Sequence, residues 1–278
     1  VPFGVPPEAP VPALAGEGPL KGGLPGIRPT DRVLLWAGSI LDWQDPETLV
    51  RATARLAASR DDVKLFFMGT RHPNPHVKPM RAVADSIDLA RALGVLDRSV
   101  FFNDWVPYSE RSRYLLDADL GLSTHRDHLE TRFSFRTRML DYVWAGLPIV
   151  CTSGDHFAGL VESRQLGAVV PPGDEAALAQ AIATLLDDEA RRARCRDNLR
   201  ALGDELRWDA VVGPLRRFCA APVFAADRAI SVRRLHEQLA RGYRFSKWFR
   251  RTALRLGVTE SNFELFKQLG PVRAAVGL

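Results

Sequence analysis

The sequence predicts an α/β fold, a Rossmann-like and mostly parallel sheet with helices on both faces. Three observations predict it. From Pro29 onward, short apolar runs alternate with segments whose apolar residues recur at helical spacing. The joints carry turn and cap residues: Gly38, Asp45-Pro46 and Gly146-Leu147-Pro148. Hydrophobic residues make up 46% of 278, enough to bury both faces of such a sheet.

The elements follow in order. Residues 33–37 form a buried strand ending at Gly38. The loop 39–45 leads to Pro46, a good first helical residue, and Leu49, Ala52, Leu56 and Ala57 mark the helix face. Residues 63–68 are the next strand. A Pro/His/Asn-rich loop, 71–79, precedes a helix carrying Val83, Ile87, Ala90 and Leu93, and residues 100–102 give a third strand. The loop 103–108, a helix through Leu116 and a strand over 119–123 come next. Residues 133–150 then join a polar helix start to a Gly-Pro stop and a buried strand. Ser134 can cap that helix, Arg136 and Arg138 ride its first turns, and Gly146 closes it. Residues 157–165 read as a helix, 168–170 as a strand and 175–186 as a helix.

Composition narrows the function classes. No apolar run reaches membrane-spanning length, and no secretory signal is visible. Cys151, Cys195 and Cys219 are odd in number and lack metal-ligand spacing, which reads as reduced thiols in a cytosolic protein. Of the net charge of +5, residues 231–260 hold eight Lys/Arg against two Asp/Glu, leaving thirty basic and thirty-one acidic residues elsewhere. The basicity therefore belongs to a C-terminal appendage, and the main body gives no ground for a nucleic-acid role.

In open parallel sheets a ligand lies beyond the carboxyl ends of the strands, so the loops after Ala37, Phe102, Ser123 and Cys151 should rim one crevice. The first loop has a single glycine, Gly38, and fails both the three-glycine dinucleotide fingerprint and the Walker pattern. A helix N-terminus flanked by arginines suits a phosphorylated ligand instead.

Five segments then stand in a telling order: the opening strand with Gly38, Phe101-Phe102-Asn103-Asp104-Trp105-Val106-Pro107, Ala118-Asp119-Leu120, 141–148, and Leu166-Gly167-Ala168-Val169-Val170-Pro171-Pro172-Gly173-Asp174, with Trp208-Asp209 following. Together they resemble the donor-binding half of retaining family 4 glycosyltransferases of GT-B architecture, over roughly residues 33–218. The resemblance implies a glycosyltransferase acting on a nucleoside diphosphate sugar, in cell-surface glycan synthesis, with no essential metal or cofactor. The Pro-rich opening reads as a linker from an absent N-terminal domain (1–28), ahead of a nucleotide-sugar-binding domain (29–220) and a basic helical tail (221–278) that departs from the family.

Applied residue by residue, the resemblance selects Gly38, Ser39, Trp105, Val106, Ser134, Phe135, Arg136, Thr137, Arg138 and Asp141 as donor-binding candidates. The family's two spaced glutamates fall on Phe133 and Asp141. An ionised Asp141 can accept hydrogen bonds from ribose hydroxyls, or simply pair with Arg138 on the same helix. Phe133 cannot hydrogen-bond a sugar, and Glu130, three residues earlier, is the carboxylate that can reach in from the loop. Ser39 and Gln44 occupy positions where the family has diphosphate-clamping Arg and Lys. Arg136 or Arg138 must then supply the clamp, which makes these two and Glu130 the catalytic candidates.

Other residues carry two readings. Trp105 stacks on the base or seals the sheet edge, while Val106 offers its backbone. Asp42 and Trp43 can face sugar or acceptor, and Asp45 reads better as a helix N-cap. His125 and His128, with Asp127, lack a clear third metal ligand and read as polar loop residues. Leu235, Leu239, Trp248 and Phe249, interspersed with arginines, form a basic amphipathic segment. It fits an anionic membrane surface at the cytoplasmic face, where a lipid-linked or glycan acceptor is met, or a helix packed on the absent domain. Two other activities remain compatible: a non-catalytic nucleotide-binding module and a sugar-nucleotide epimerase of the same architecture.

Overall fold

The computed structural model describes residues 3–11 and 18–224, together with Arg228, Arg234 and Glu237. Six strands form one sheet: β1 (Arg32–Ser39), β2 (Val63–Gly69), β3 (Val100–Phe102), β4 (Leu120–Ser123), β5 (Ile149–Thr152) and β6 (Gly167–Val170). Their order is β3-β2-β1-β4-β5-β6, and every neighbouring pair is parallel. The chain first winds outward from β1 and then returns to β1's other side to begin β4. Strand order therefore reverses between β1 and β4, where a crevice opens at the carboxyl ends.

The connecting helices are α1 (Pro46–Ala57), α2 (Arg81–Ala92), α3 (Arg111–Asp117), α4 (Leu129–Phe133), α5 (Thr137–Ala145), α6 (His156–Ser163), α7 (Glu175–Asp187) and α8 (Glu189–Glu205), followed by the short α9 (Trp208–Val211) and α10 (Gly213–Ala220). Alternation along β1 assigns the two layers. Leu34 and Trp36 pack with Leu49 and Val50 of α1, Val83 of α2 and Ile182 of α7. Val33, Leu35 and Ala37 pack with Tyr142 and Val143 of α5, Phe157 of α6 and Leu199 of α8. This is the period-two consequence of pleated strands buried on both sides. Each fully buried Val, Leu, Ile or Phe among these is worth about 1.5–3 kcal/mol of hydrophobic transfer.

The sequence pattern places the strands to within a residue or two, and the helices nearly as well. Asp45 does cap α1: its carboxylate accepts from Thr48 N at 3.2 Å and from the Thr48 hydroxyl at 2.7 Å. Gly146 ends α5 in the left-handed region, φ +64°, a conformation that favours glycine. The pattern misses α8, whose sequence EARRARCRDNLRALGDE exposes charges on most of its circumference. It also misplaces the start of α5. Ser134, expected to cap that helix, instead terminates α4, and α5 begins at Thr137 with Arg136 in the cap position. The extra turn α4 intervenes because the His128 ring nitrogen caps it, accepting from Glu130 N at 3.2 Å.

The stretch read as a linker contributes to the second layer, where Val5, Leu20 and Ile27 are buried. Val5 N donates to the Leu206 carbonyl at 2.8 Å and Trp208 N to the Val5 carbonyl at 3.1 Å. The chain divides into compact units Val1–Pro214 and Leu215–Leu278. The basic amphipathic segment with Leu235, Leu239, Trp248 and Phe249 lies outside the described residues; Arg234 and Glu237 are exposed. Among the described residues, no helix is long and apolar enough to cross a membrane.

Candidate functional site

A cavity of about 550 Å³ opens at the carboxyl ends of β1 and β4. Ala37, Gly38 and Ser39 floor it from β1, and Gly38 adopts φ +102° as the strand turns away. Leu41, Trp43 and Gln44 form one wall, Tyr108 and Arg111 another, and Glu130 with residues 134–138 the third. Leu140 and Asp141 complete the α5 side, while residues 3–6 and Trp208 close the mouth.

The expected donor-binding residues divide accordingly. Gly38, Ser39, Ser134, Phe135, Arg136, Thr137, Arg138 and Asp141 all line the cavity, as does Glu130. Trp105 and Val106 are not in its lining. Trp105 does not seal the sheet edge as core either: it is 42% exposed and meets the His72 ring edge-on at 5.5 Å. Val106 is buried in the second layer. Phe133 is 83% exposed, so the position of the family's first glutamate points no carboxylate substitute inward. Of the four loops expected to rim the crevice, the one after Cys151 contributes indirectly, through Asp155.

The two arginines are held differently. Arg136 is 7% exposed, and its guanidinium bridges Asp155 (Nε to Oδ2, 3.3 Å) and both oxygens of Glu130 (3.3 and 3.2 Å). With two carboxylates on one cation, Arg136 serves first as the buried tie between α4, α5 and α6. Arg138 places its Cζ 4.1 Å over the Trp36 ring, donates from Nη2 to the Ser39 carbonyl at 2.7 Å, and from Nε to that of Ala37 at 2.5 Å. Burial lowers its pKa to about 10, leaving it cationic at neutral pH, and among the described residues it has no carboxylate partner. Arg138, not Arg136, is the uncommitted positive charge. Among the described residues, no side chain caps the N-terminus of α5, the helix whose first turn carries Arg138.

Asp141 does not pair with Arg138. It accepts from Arg111 Nε at 3.2 Å; burial raises its pKa and the Arg111 guanidinium opposes the rise. Arg111 is the functional candidate the sequence pattern misses, because its partner lies thirty residues away on another helix. Asp42 turns from the site: its carboxylate accepts from Ala82 N at 2.9 Å, supplying α2 with the cap its own N-terminus lacks. Gln44 accepts from Leu41 N at 2.9 Å, which fixes the β1–α1 loop, and Trp43 lines the cavity. His125 is buried, its pKa pushed down to about 2 by burial and by the nearby Arg136 and Arg138 charges. Among the described residues, no three His, Cys, Asp or Glu side chains are grouped to hold a metal.

A family model described as "Glycosyl transferases group 1" matches residues 31–188. This chain belongs to the group 1 glycosyltransferases. Solved structures agree on the fold. The glycosyltransferase WaaG, involved in lipopolysaccharide biosynthesis, is 22% identical with a TM-score of 0.55 over 71% of this chain and 49% of its own. Sucrose-phosphate synthase from Thermosynechococcus elongatus is 21% identical, with a TM-score of 0.62 over 80% and 52%. HepE from Anabaena, solved with UDP, is 18% identical, with a TM-score of 0.57 over 70% and 50%. The group 1 chain thus spans about half the length of these solved proteins. No curated protein matches it.

Proposed function

We propose that this group 1 glycosyltransferase chain binds the donor for sugar transfer from a nucleoside diphosphate sugar to a glycan or lipid-linked acceptor, with retention of configuration, in cell-surface glycan synthesis. The observation that carries the reading is the cavity at the β1/β4 switch point, where the uncapped end of α5 and the Arg138 guanidinium converge. Departure of the donor diphosphate develops negative charge there. A fixed helix end and a preoriented cation stabilise such charge without reorganising, the largest single contribution in many enzymes. That HepE binds UDP and UDP-glucose supports a nucleoside diphosphate as the ligand class.

Glu130 and Asp141 are the cavity's carboxylates and the groups suited to sugar or ribose hydroxyls. Arg138 carries the clamp, and no metal or resident cofactor enters the scheme. Half-length coverage of the solved relatives supports drawing acceptor contacts from a portion outside this chain; the chain alone then binds donor with little transfer. We also infer a peripheral position at the cytoplasmic membrane face, supported by the basic run in residues 231–260. Liposome sedimentation with and without residues 231–278 tests this, and equal binding by both forms rejects it.

Calorimetry against UDP, GDP and dTDP, with and without EDTA, tests the main reading. Saturable, chelator-insensitive binding of one nucleotide is expected, accompanied by a raised melting temperature. Failure of all three to bind overturns the donor-site reading. The exposed Phe133 favours one alternative, a nucleotide-binding module without turnover. Product analysis on the full-length protein separates it from a transferase, and the anomeric configuration of the product tests retention.

A further inference from the structure

Arg111 begins α3, at the cavity wall opposite the two arginines of α5, and its setting is unusually fixed for a surface-helix residue. Its guanidinium carbon lies 3.7 Å from the centroid of the Tyr108 ring and 4.7 Å from that of Trp144. Trp144 is itself anchored, its indole N–H donating to the Glu8 carbonyl at 2.8 Å. Arg111 Nη1 donates to the Tyr108 carbonyl at 3.3 Å, and Nε donates to Asp141 Oδ1 at 3.2 Å. The arginine side chain is 11% exposed, whereas that of Asp141 is 35% exposed and lines the cavity.

This geometry divides the labour between the two residues. The two rings and the Tyr108 carbonyl together restrict the guanidinium, a set of contacts that a flexible ammonium cannot reproduce. Held there, Nε occupies one oxygen of the carboxylate and leaves Oδ2 with no protein partner among the described residues. Asp141 sits on a rigid helix but has a short side chain, so the direction of its free oxygen is set by the partner on Oδ1.

We propose that Arg111 is a positioning residue that aims the Asp141 carboxylate at the ribose hydroxyls of the donor, and so sets the preference for ribonucleotides over deoxynucleotides. The inference rests on the donor-site reading of the cavity. Arg111 itself touches no substrate in this scheme. Its effect should fall on ligands carrying the hydroxyls, because Asp141 is the group it orients.

The test compares binding of the ribonucleoside diphosphate selected by calorimetry with that of its 2′,3′-dideoxy counterpart, in the whole chain. A hydrogen bond to a charged group is worth enough that wild type should prefer the ribonucleotide by about tenfold or more. Arg111→Met and Asp141→Asn should each reduce this ratio to about threefold or less while leaving dideoxy affinity nearly unchanged. Arg111→Lys, which keeps the charge but not the plane, should give an intermediate ratio, and it carries the test should Arg111→Met fail to fold. An unaltered ratio in the Arg111 variants, or an equal loss for both ligands, overturns the positioning role. Wild-type binding without ribose preference also overturns it but leaves the donor site standing. Absence of any nucleotide binding removes both.

Discussion

The ring of Tyr142 stands where any side chain at Gly121 would have to be: a Cβ on Gly121 would lie 2.6 Å from its atoms. The fit lets the α5 tyrosine lie flat on β4 and reach through to β1. There its hydroxyl accepts from Ala37 N at 3.0 Å and donates between the Leu35 and Leu122 carbonyls, at 2.9 and 2.8 Å. One phenol thus ties together the two strands that part at the switch point. Burial pushes its pKa up to about 12, so the proton that makes these bonds is retained throughout the neutral range. Tyr142→Phe should cost about 1–3 kcal/mol, the penalty for stranding a buried N–H. Gly121→Ala should cost more, because an aromatic ring and not a flexible tip must move. Urea denaturation of both variants checks the order; a neutral Gly121→Ala would contradict it.

Arg136 presents a different balance. Asp155 is buried, caps α6 by accepting from Ala158 N at 2.8 Å, and has Arg136 as its ionic partner. Arg136→Met therefore leaves a desolvated carboxylate unpaired and should destabilise by about 3–5 kcal/mol, as breaking buried ion pairs does. Asp155→Asn keeps the cap, since asparagine caps as well as aspartate, and should cost less. Equal effects in thermal denaturation would show that the ion pair is not what holds α4 against α6.

Arg138 makes the corresponding functional prediction. Its guanidinium reaches two carbonyls of the β1 end while lying on Trp36, an arrangement that lysine's single point charge cannot match. Arg138→Ala should weaken nucleoside diphosphate binding by about ten- to a hundredfold, the worth of a charged hydrogen bond. Arg138→Lys should recover only part of it. Unchanged affinity in calorimetry would remove Arg138 from the clamp.

These three residues show what the sequence made legible. Local signals sufficed for the sheet and for α1, where Asp45-Pro46 is both cap and first turn, and they singled out the α5 region, whose residues line the cavity. They failed where a partner is distant in the chain. Ser134 looks like a cap until His128 nucleates α4 ahead of it, and Asp141 looks like a partner for Arg138 until α3 folds Arg111 against it. Arg136 and Arg138, alike in sequence, differ because Asp155 arrives from the β5–α6 loop. Periodicity also could not reveal α8, whose few apolar positions bury against two layers at once.

His125 supplies a prediction in pH. Its imidazole is buried beside Arg136 and Arg138, and burial above all holds its pKa near 2, against 6.5 in an unfolded chain. Below about pH 6.5 the unfolded state binds a proton that the folded state refuses, so the stabilisation is fully present above that pH and is lost as pH falls toward 2. The slope reaches about 1.4 kcal/mol per pH unit, which amounts to about 2 kcal/mol between neutrality and pH 5. Carboxylates elsewhere add their own acid sensitivity, and a variant isolates the histidine's share. His125→Gln, neutral at every pH, should flatten the stability profile between pH 7 and 5 by that amount. Parallel profiles for the two proteins, measured by urea denaturation, would mean that the imidazole takes up its proton without unfolding the chain.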